Sequence, residues 1–199
     1  AVYRYFPSRD DLLTALIVDA YNAFGAAVED AASRRRRSEF LTRWMALCVA
    51  VRSWAIANPH EWALLYGTPV PGYAAPQDTI DPAALAPLAF LRVVAESVAA
   101  GTVRSIPTTL PRGVRADFAK LRGDAVLDVP DDVLARALGA WAALFGSVNL
   151  ELFGHLHNVI SDYAGYFEMQ MREAGAVLAG TVVAAQIPSA ALSPASSTA

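Results

Sequence analysis

Residues 131 to 153 carry Val133, Leu134, Ala137, Leu138, Trp141, Leu144, Phe145, Val148, Leu152 and Phe153, an apolar set at helical spacing that covers a wide arc. A helix apolar over so wide an arc needs partners on more than one side. Asp131 and Asp132 fall in its first turn, where carboxylates favour the positive end of the helix dipole. Gly139, Ala142, Ala143 and Gly146 form a strip of small residues that permits close approach of another helix. A second long run follows from about residue 161 to 185, with Tyr163, Tyr166, Phe167, Met169, Met171, Val177, Leu178 and Val182. One small core cannot satisfy both helices, so the pattern predicts an all-α bundle.

The rest of the chain reads the same way. Ser8 has the chemistry of an N-cap, Asp10 and Asp11 suit a first turn, and Leu12, Leu13, Leu16, Ile17, Ala20, Phe24, Ala27 and Val28 predict an amphipathic helix over residues 9–32. Arg34, Arg35, Arg36 and Arg37 read as a solvated helix end, with an anion or DNA contact as the alternative. Ser38 is a possible cap for the next helix, which carries Phe40, Leu41, Trp44, Met45, Leu47, Cys48, Val51, Trp54 and Ala55. Asn58 and Pro59 then read as the N-cap and first position of a short helix ending before Gly67. Residues 68–82 hold four prolines and a glycine and read as a long loop; residues 83–100 return to helix, with Pro87 in or near its first turn. Residues 102–129 are the least readable, with a short helix at 112–121, and residues 188–199 read as a disordered tail.

Composition narrows the function. Hydrophobic residues make up 55% of 199 and charged residues 18%, with a mean hydropathy of +0.32, which is apolar for a soluble monomer. A net charge of −3 argues against nonspecific nucleic-acid binding by this portion, since phosphate affinity needs a dense basic surface. The single cysteine, Cys48, excludes an internal disulfide and fits a reducing compartment. A membrane span needs about 20 mainly apolar residues; the stretches 137–150 and 174–187 are too short, and no membrane partner is expected.

Catalytic signatures are missing: there is no Gly-rich phosphate loop, nucleophile elbow or His-Glu-x-x-His. His155 and His157, two apart on a helix, point away from one another, so neither a metal nor a cofactor is expected. Cys48 reads as a small buried hydrophobe in preference to a redox sensor. Asn149 and Glu151 either orient a ligand or hydrogen-bond across an interface between copies. Trp44, Trp54, Trp62, Tyr66, Phe90, Trp141 and Phe145 either fill a core or line an apolar cavity of the kind in which bundles hold small molecules.

The first residues add a motif. Ala1-Val2-Tyr3-Arg4-Tyr5-Phe6 reads as a helix end, broken at Pro7-Ser8 and followed by Arg9-Asp10-Asp11-Leu12-Leu13. Its phenols and guanidinium groups suit phosphate contacts, while packing at a helix corner is the plainer reading. The string resembles the end of the helix-turn-helix of TetR-family transcriptional regulators, with Val2, Tyr3, Tyr5, Phe6, Ser8, Arg9, Asp11, Leu12 and Leu13 on the signature. A second phrase, Trp54 through Asn58-Pro59 and Trp62 to Tyr66-Gly67, resembles a TetR-type C-terminal domain of the WHG type.

The resemblance implies a TetR-like helical bundle whose last two helices form a dimerisation face. It implies DNA-phosphate contacts at Tyr3, Tyr5 and Arg9. It also implies a cavity for a small hydrophobic or aromatic effector, for which Trp44, Cys48, Trp62, Tyr66, Phe90, Trp141, Phe145 and Asn149 are the candidate lining. Residues 1–33 then read as a remnant of the headpiece with its connecting helix, 34–187 as the effector-binding and dimerisation domain, and 188–199 as tail. The chain begins inside the motif, so it reads as a fragment that lacks the base-reading residues. The expected protein is a cytoplasmic homodimer, a repressor that binds operator DNA once its headpiece is complete. A helical enzyme using the cavity and a structural interaction module are the rival readings.

Overall fold

A computed structural model describes residues 6–33 and 39–181. Among them are seven α-helices and no strand, so the chain is all-α, in the order α1 (Arg9–Ser33), α2 (Phe40–Ala57), α3 (Pro59–Tyr66), a 3-10 turn (Gln77–Thr79), α4 (Ile80–Ala99), α5 (Arg112–Ala125), α6 (Asp131–Leu152) and α7 (Tyr163–Ala179). The helix α1 packs against α4 and α2, α2 continues onto α7, and α7 lies along α6.

The long helices form where the stripes predict them. Ser8 starts α1: its Oγ accepts from the Asp11 amide at 3.1 Å and donates to the Asp11 carboxylate at 2.7 Å. The inward face of α1 is Ile17, Ala20, Phe24, Val28 and Ala32, steps of three and four residues that keep one side turned to the core. On α2 the buried set is broader and includes Trp44, Leu47, Cys48 and Val51, all without exposed surface. One charge is buried with them. Arg43 pairs with Glu96 of α4 at 2.8 Å and donates through Nε to the Ala32 carbonyl at 3.3 Å, tying the end of α1 to α2 and α4.

Several local expectations are corrected. Asn58 occupies the N-cap position of α3, but its side chain makes no capping bond there; its Nδ2 donates to the Trp54 carbonyl at 2.9 Å and so closes the last turn of α2. The helix α4 begins at Ile80, so Pro82 lies in its first turn, where no amide donor is needed, and Pro87 lies in its interior. The helix α5 runs four residues past the predicted end and buries Phe118. The helix α7 stops at Ala179, short of 185, because Gly180 adopts a left-handed φ of 76°. His155 and His157 lie beyond the end of α6, in turns, and not on a helix. Ser38, the four arginines before it, Val182 and the tail fall outside the described residues.

Length does not exclude membrane spans as the sequence reading had it. Arg9–Ser33, Phe40–Ala57, Gln77–Ala99 and Asp131–Leu152 are each long and apolar enough to cross one by length and composition. What assigns their apolar residues here is the fold, since all four helices contribute to one shared core through Phe24, Trp44, Phe90 and Leu144.

Asp132, in the first turn of α6, fastens the stretch that follows α4. Asp132 accepts from the Ser105 hydroxyl at 2.7 Å, the Ile106 amide at 2.6 Å and Arg136 at 2.9 Å. Arg136 in turn donates to the carbonyls of Val177 and Leu178 at the end of α7.

Candidate functional site

The three predicted DNA contacts lie at the front of the chain. Tyr3 and Tyr5 are outside the described residues; Arg9 is exposed at the first position of α1, one residue after the capping serine.

The predicted ligand residues come together in one aromatic interior. Trp44 meets Phe90 at a centroid distance of 5.5 Å, Phe90 stacks on Trp141 at 5.2 Å, and Trp141 meets Phe145 at 4.7 Å. Phe145 then contacts Trp62 at 5.2 Å and Tyr66 at 4.7 Å. The helices α2, α3, α4 and α6 each supply a member, which is why the residues are so widely spaced in the chain. Asn149 joins through Trp62, whose Nε1 donates to its Oδ1 at 2.8 Å; Trp44 donates to the Met171 carbonyl at 2.6 Å. The indole N–H groups of the fully buried Trp44 and Trp62 therefore have partners, as a buried donor requires. Cys48 is fully buried in the same core, and burial pushes its thiol well above the usual range, so it sits there as a small neutral group.

A ring from α1 that is not among the predicted ligand residues joins the same interior. Phe24 of α1 contacts Trp54, Trp62, Tyr66 and Phe145 at centroid distances of 5.1, 5.7, 5.8 and 6.3 Å. Its only signal was a place on the apolar stripe of α1, where it looked like ordinary core. Glu151 proves to have an intramolecular role: it receives two hydrogen bonds from Arg52, at 2.7 and 2.6 Å, and this pairing raises the pKa of the guanidinium. Among the described residues no cluster of three or more His, Cys, Asp or Glu side chains could hold a metal.

The rings close on one another, and open volume lies at the edges of the interior. A cavity of about 480 Å³ separates Ile17 and Tyr21 of α1 from Ile80 and Ala83 of α4. A groove of about 740 Å³ runs between α2 and α7 and is lined by Met45, Val49, Arg52 and Phe167. The first abuts the aromatic interior through Tyr21, whose ring meets Tyr66 at 6.2 Å. Burial raises the pKa of both phenols, so they stay neutral donors.

An all-α bundle with an aromatic interior is compatible with several families, and similarity decides among them. The profile of the family described as "Tetracyclin repressor-like, C-terminal domain" matches residues 44–174, which hold most of α2, all of α3, α4, α5 and α6, and most of α7. The chain belongs to the TetR family of transcriptional regulators. It is 39% identical over 181 residues to the HTH-type transcriptional regulator Rv1816 of Mycobacterium tuberculosis, covering 90% of this chain and 77% of that protein. The same figures hold for the HTH-type transcriptional regulator Mb1846 of Mycobacterium bovis. Among solved structures it is similar to SCO4313, described as a candidate regulatory protein. There the TM-score is 0.66 at 34% identity, over 86% of this chain and 76% of that one. A Rhodococcus sp. RHA1 protein of unknown function shares the fold at a TM-score of 0.62 and 23% identity.

Proposed function

We propose that this chain is the sensing and dimerising part of a ligand-responsive TetR-type repressor that acts in the cytoplasm. The observation that carries the reading is the position of Phe24. The helix that follows the DNA-contact string also supplies one of the rings that touch four others in the aromatic interior, so a rearrangement of those rings bears on α1. In this reading residues 1–33 belong functionally to the headpiece although α1 is packed into the core of the remainder. Tyr3, Tyr5 and Arg9 hold DNA phosphates. The rings from Trp44 to Phe145, with Cys48 and Asn149, form the packed apolar interior through which an effector acts on the helices around it.

Mechanism follows from differential binding. An effector that prefers one arrangement of the bundle shifts the population toward it, α1 carries the shift to the headpieces, and the two lose the spacing that matches their half-sites. To move such an equilibrium from mostly bound to mostly released takes a difference in affinity of about 10⁴ between the two states.

A homodimer supplies the two headpieces. Leu138, Leu150, Phe153 and Met169 are exposed on α6, just past its end and on α7, and a Cβ built at Gly139 or Gly146 meets no atom within 4 Å. The small-residue strip is thus open in the single chain and fits a second copy across a two-fold axis.

The test is a gel-shift of the full-length protein, headpiece complete, on DNA from beside its own gene, with and without a panel of uncharged hydrophobic compounds. Specific binding released by one compound supports the reading. Binding that no compound changes, together with a monomeric mass in solution, overturns it.

A further inference from the structure

The helices α2 and α7 run in opposite directions. At one end, a Cβ added to Gly175 would lie 2.5 Å from the Trp44 ring and 3.1 Å from the Leu41 side chain; at the other, the Arg52 guanidinium lies over the Phe167 ring, 5.5 Å from its centre. Beside this seam the groove of about 740 Å³ follows α2 from Leu41 to Ser53. Its floor is apolar and open, with Leu41 and Val49 45% and 53% exposed. The two arginines in the lining, Arg52 and Arg172, are already paired with Glu151 and Glu168. The groove therefore suits an occupant without charge, since a charged one would give up its hydration and find no unpaired arginine in exchange.

The chain itself carries such a segment. At the end of α7 the Gly180 amide donates to the Val177 carbonyl and the Thr181 amide to the Ala176 carbonyl, both at 3.1 Å, and the left-handed Gly180 turns the backbone off the helix axis. The exit lies at the Leu41 end of the groove, about 8 Å of helix beyond Gly175. Residues 182–199, outside the described set, continue from there without one charged side chain, and they begin Val182, Val183, Ala184, Ala185, Gln186, Ile187. From Leu41 to Ser53 the helix rises about 18 Å, and an extended segment as long as residues 182–187 spans about 20 Å.

We propose that residues 182–187 dock in the groove between α2 and α7 of their own chain and cover its apolar floor. The tether holds the segment at an effective concentration of about the millimolar range, so contacts too weak to keep a free partner suffice. Met169, on the face offered above to a second copy, is not in the lining, so the two contacts use different sides of α7. Nothing in the proposal depends on DNA or on an effector.

The test is made on the full chain. Cys48 has no exposed surface, so Val49→Cys provides one reachable thiol for a bimane label, whose emission is quenched by contact with tryptophan. Adding Ala185→Trp is expected to lower that emission at least twofold, at every dilution, relative to the labelled chain without it. Ile187→Trp should do the same. Val183→Asp, which puts a charge into the docked segment, is expected to restore the emission. If Val49→Cys fails to fold, Leu41→Cys carries the label instead. Emission unchanged by both tryptophans, quenching that arises only between mixed chains, as the tail of a second copy would give, or quenching that survives Val183→Asp overturns the proposal.

Discussion

The two halves of α1 are built from similar residues and held in different ways. From Phe24 onward the inward face is fully enclosed at Phe24 and Val28, the end is tied down by Arg43, and Gly25 sits hard against α4. Ahead of it, Leu16 is 50% exposed, Ile17 and Tyr21 border a cavity, and the bond between the Thr14 and Tyr73 hydroxyls is the described tether to the loop after α3. A helix that is fixed at one end and lightly held at the other can tilt without unfolding. In the function proposed above, the lightly held end is the one that continues toward DNA.

The largest expected effect breaks the fixed half. Phe24→Ala removes the ring that four others touch and should cost about 3–5 kcal/mol in chemical denaturation. Leu16→Ala, on the light half, should stay within about 0.5 kcal/mol. Equal losses at the two positions would erase the distinction between the halves.

Gly25→Val sharpens the contrast. The added side chain meets Leu85 where no space exists, and overpacking of this kind costs roughly 2 kcal/mol. A variant that folds nonetheless should show a displaced α1; unchanged stability would deny the close contact.

A smaller, pH-dependent effect lies far from α1 and serves as a control. Burial alone would raise the Asp132 pKa, but hydrogen bonds from the Ile106 amide, Ser105 and Arg136 outweigh it and leave the carboxyl below its ordinary value. A carboxyl depressed in the folded state contributes stability above its unfolded pKa of about 3.9, and that contribution is lost as pH falls through the folded value. Asp132→Asn should therefore lower stability by about 2 kcal/mol at neutral pH and flatten the acid limb of the stability profile. It should leave hydrogen exchange in α1 unchanged. A parallel change there would mean that the two ends of the bundle are not independent.

Much of this architecture was legible in the residues because periodic apolar stripes fix both the existence and the inward face of α1, α2 and α6. Local punctuation was read less well. Pro82 and Pro87 suggested loop and helix start, yet a helix can begin before the first and tolerate the second when its other turns are well packed. Asn58 stands at the N-cap position of the helix ahead of it, but a side-chain amide can serve either neighbour, and only the geometry shows that it turns back to α2. The aromatic interior was legible as a set, since aromatics on facing stripes have nowhere else to go, while the part of Phe24 in it was hidden by looking like every other stripe residue. The cavity could not be read at all. Its walls come from α1, α3, the loop after α3 and α4, and empty space leaves no signature in the sequence of any one of them.

The most direct test follows hydrogen exchange along α1 in the chain. The two-halves account predicts that residues 24–32 keep their amide protons longer than residues 12–21. Equal exchange along the whole helix, or faster exchange over residues 24–32, would contradict the claim that α1 is fixed at one end and lightly held at the other.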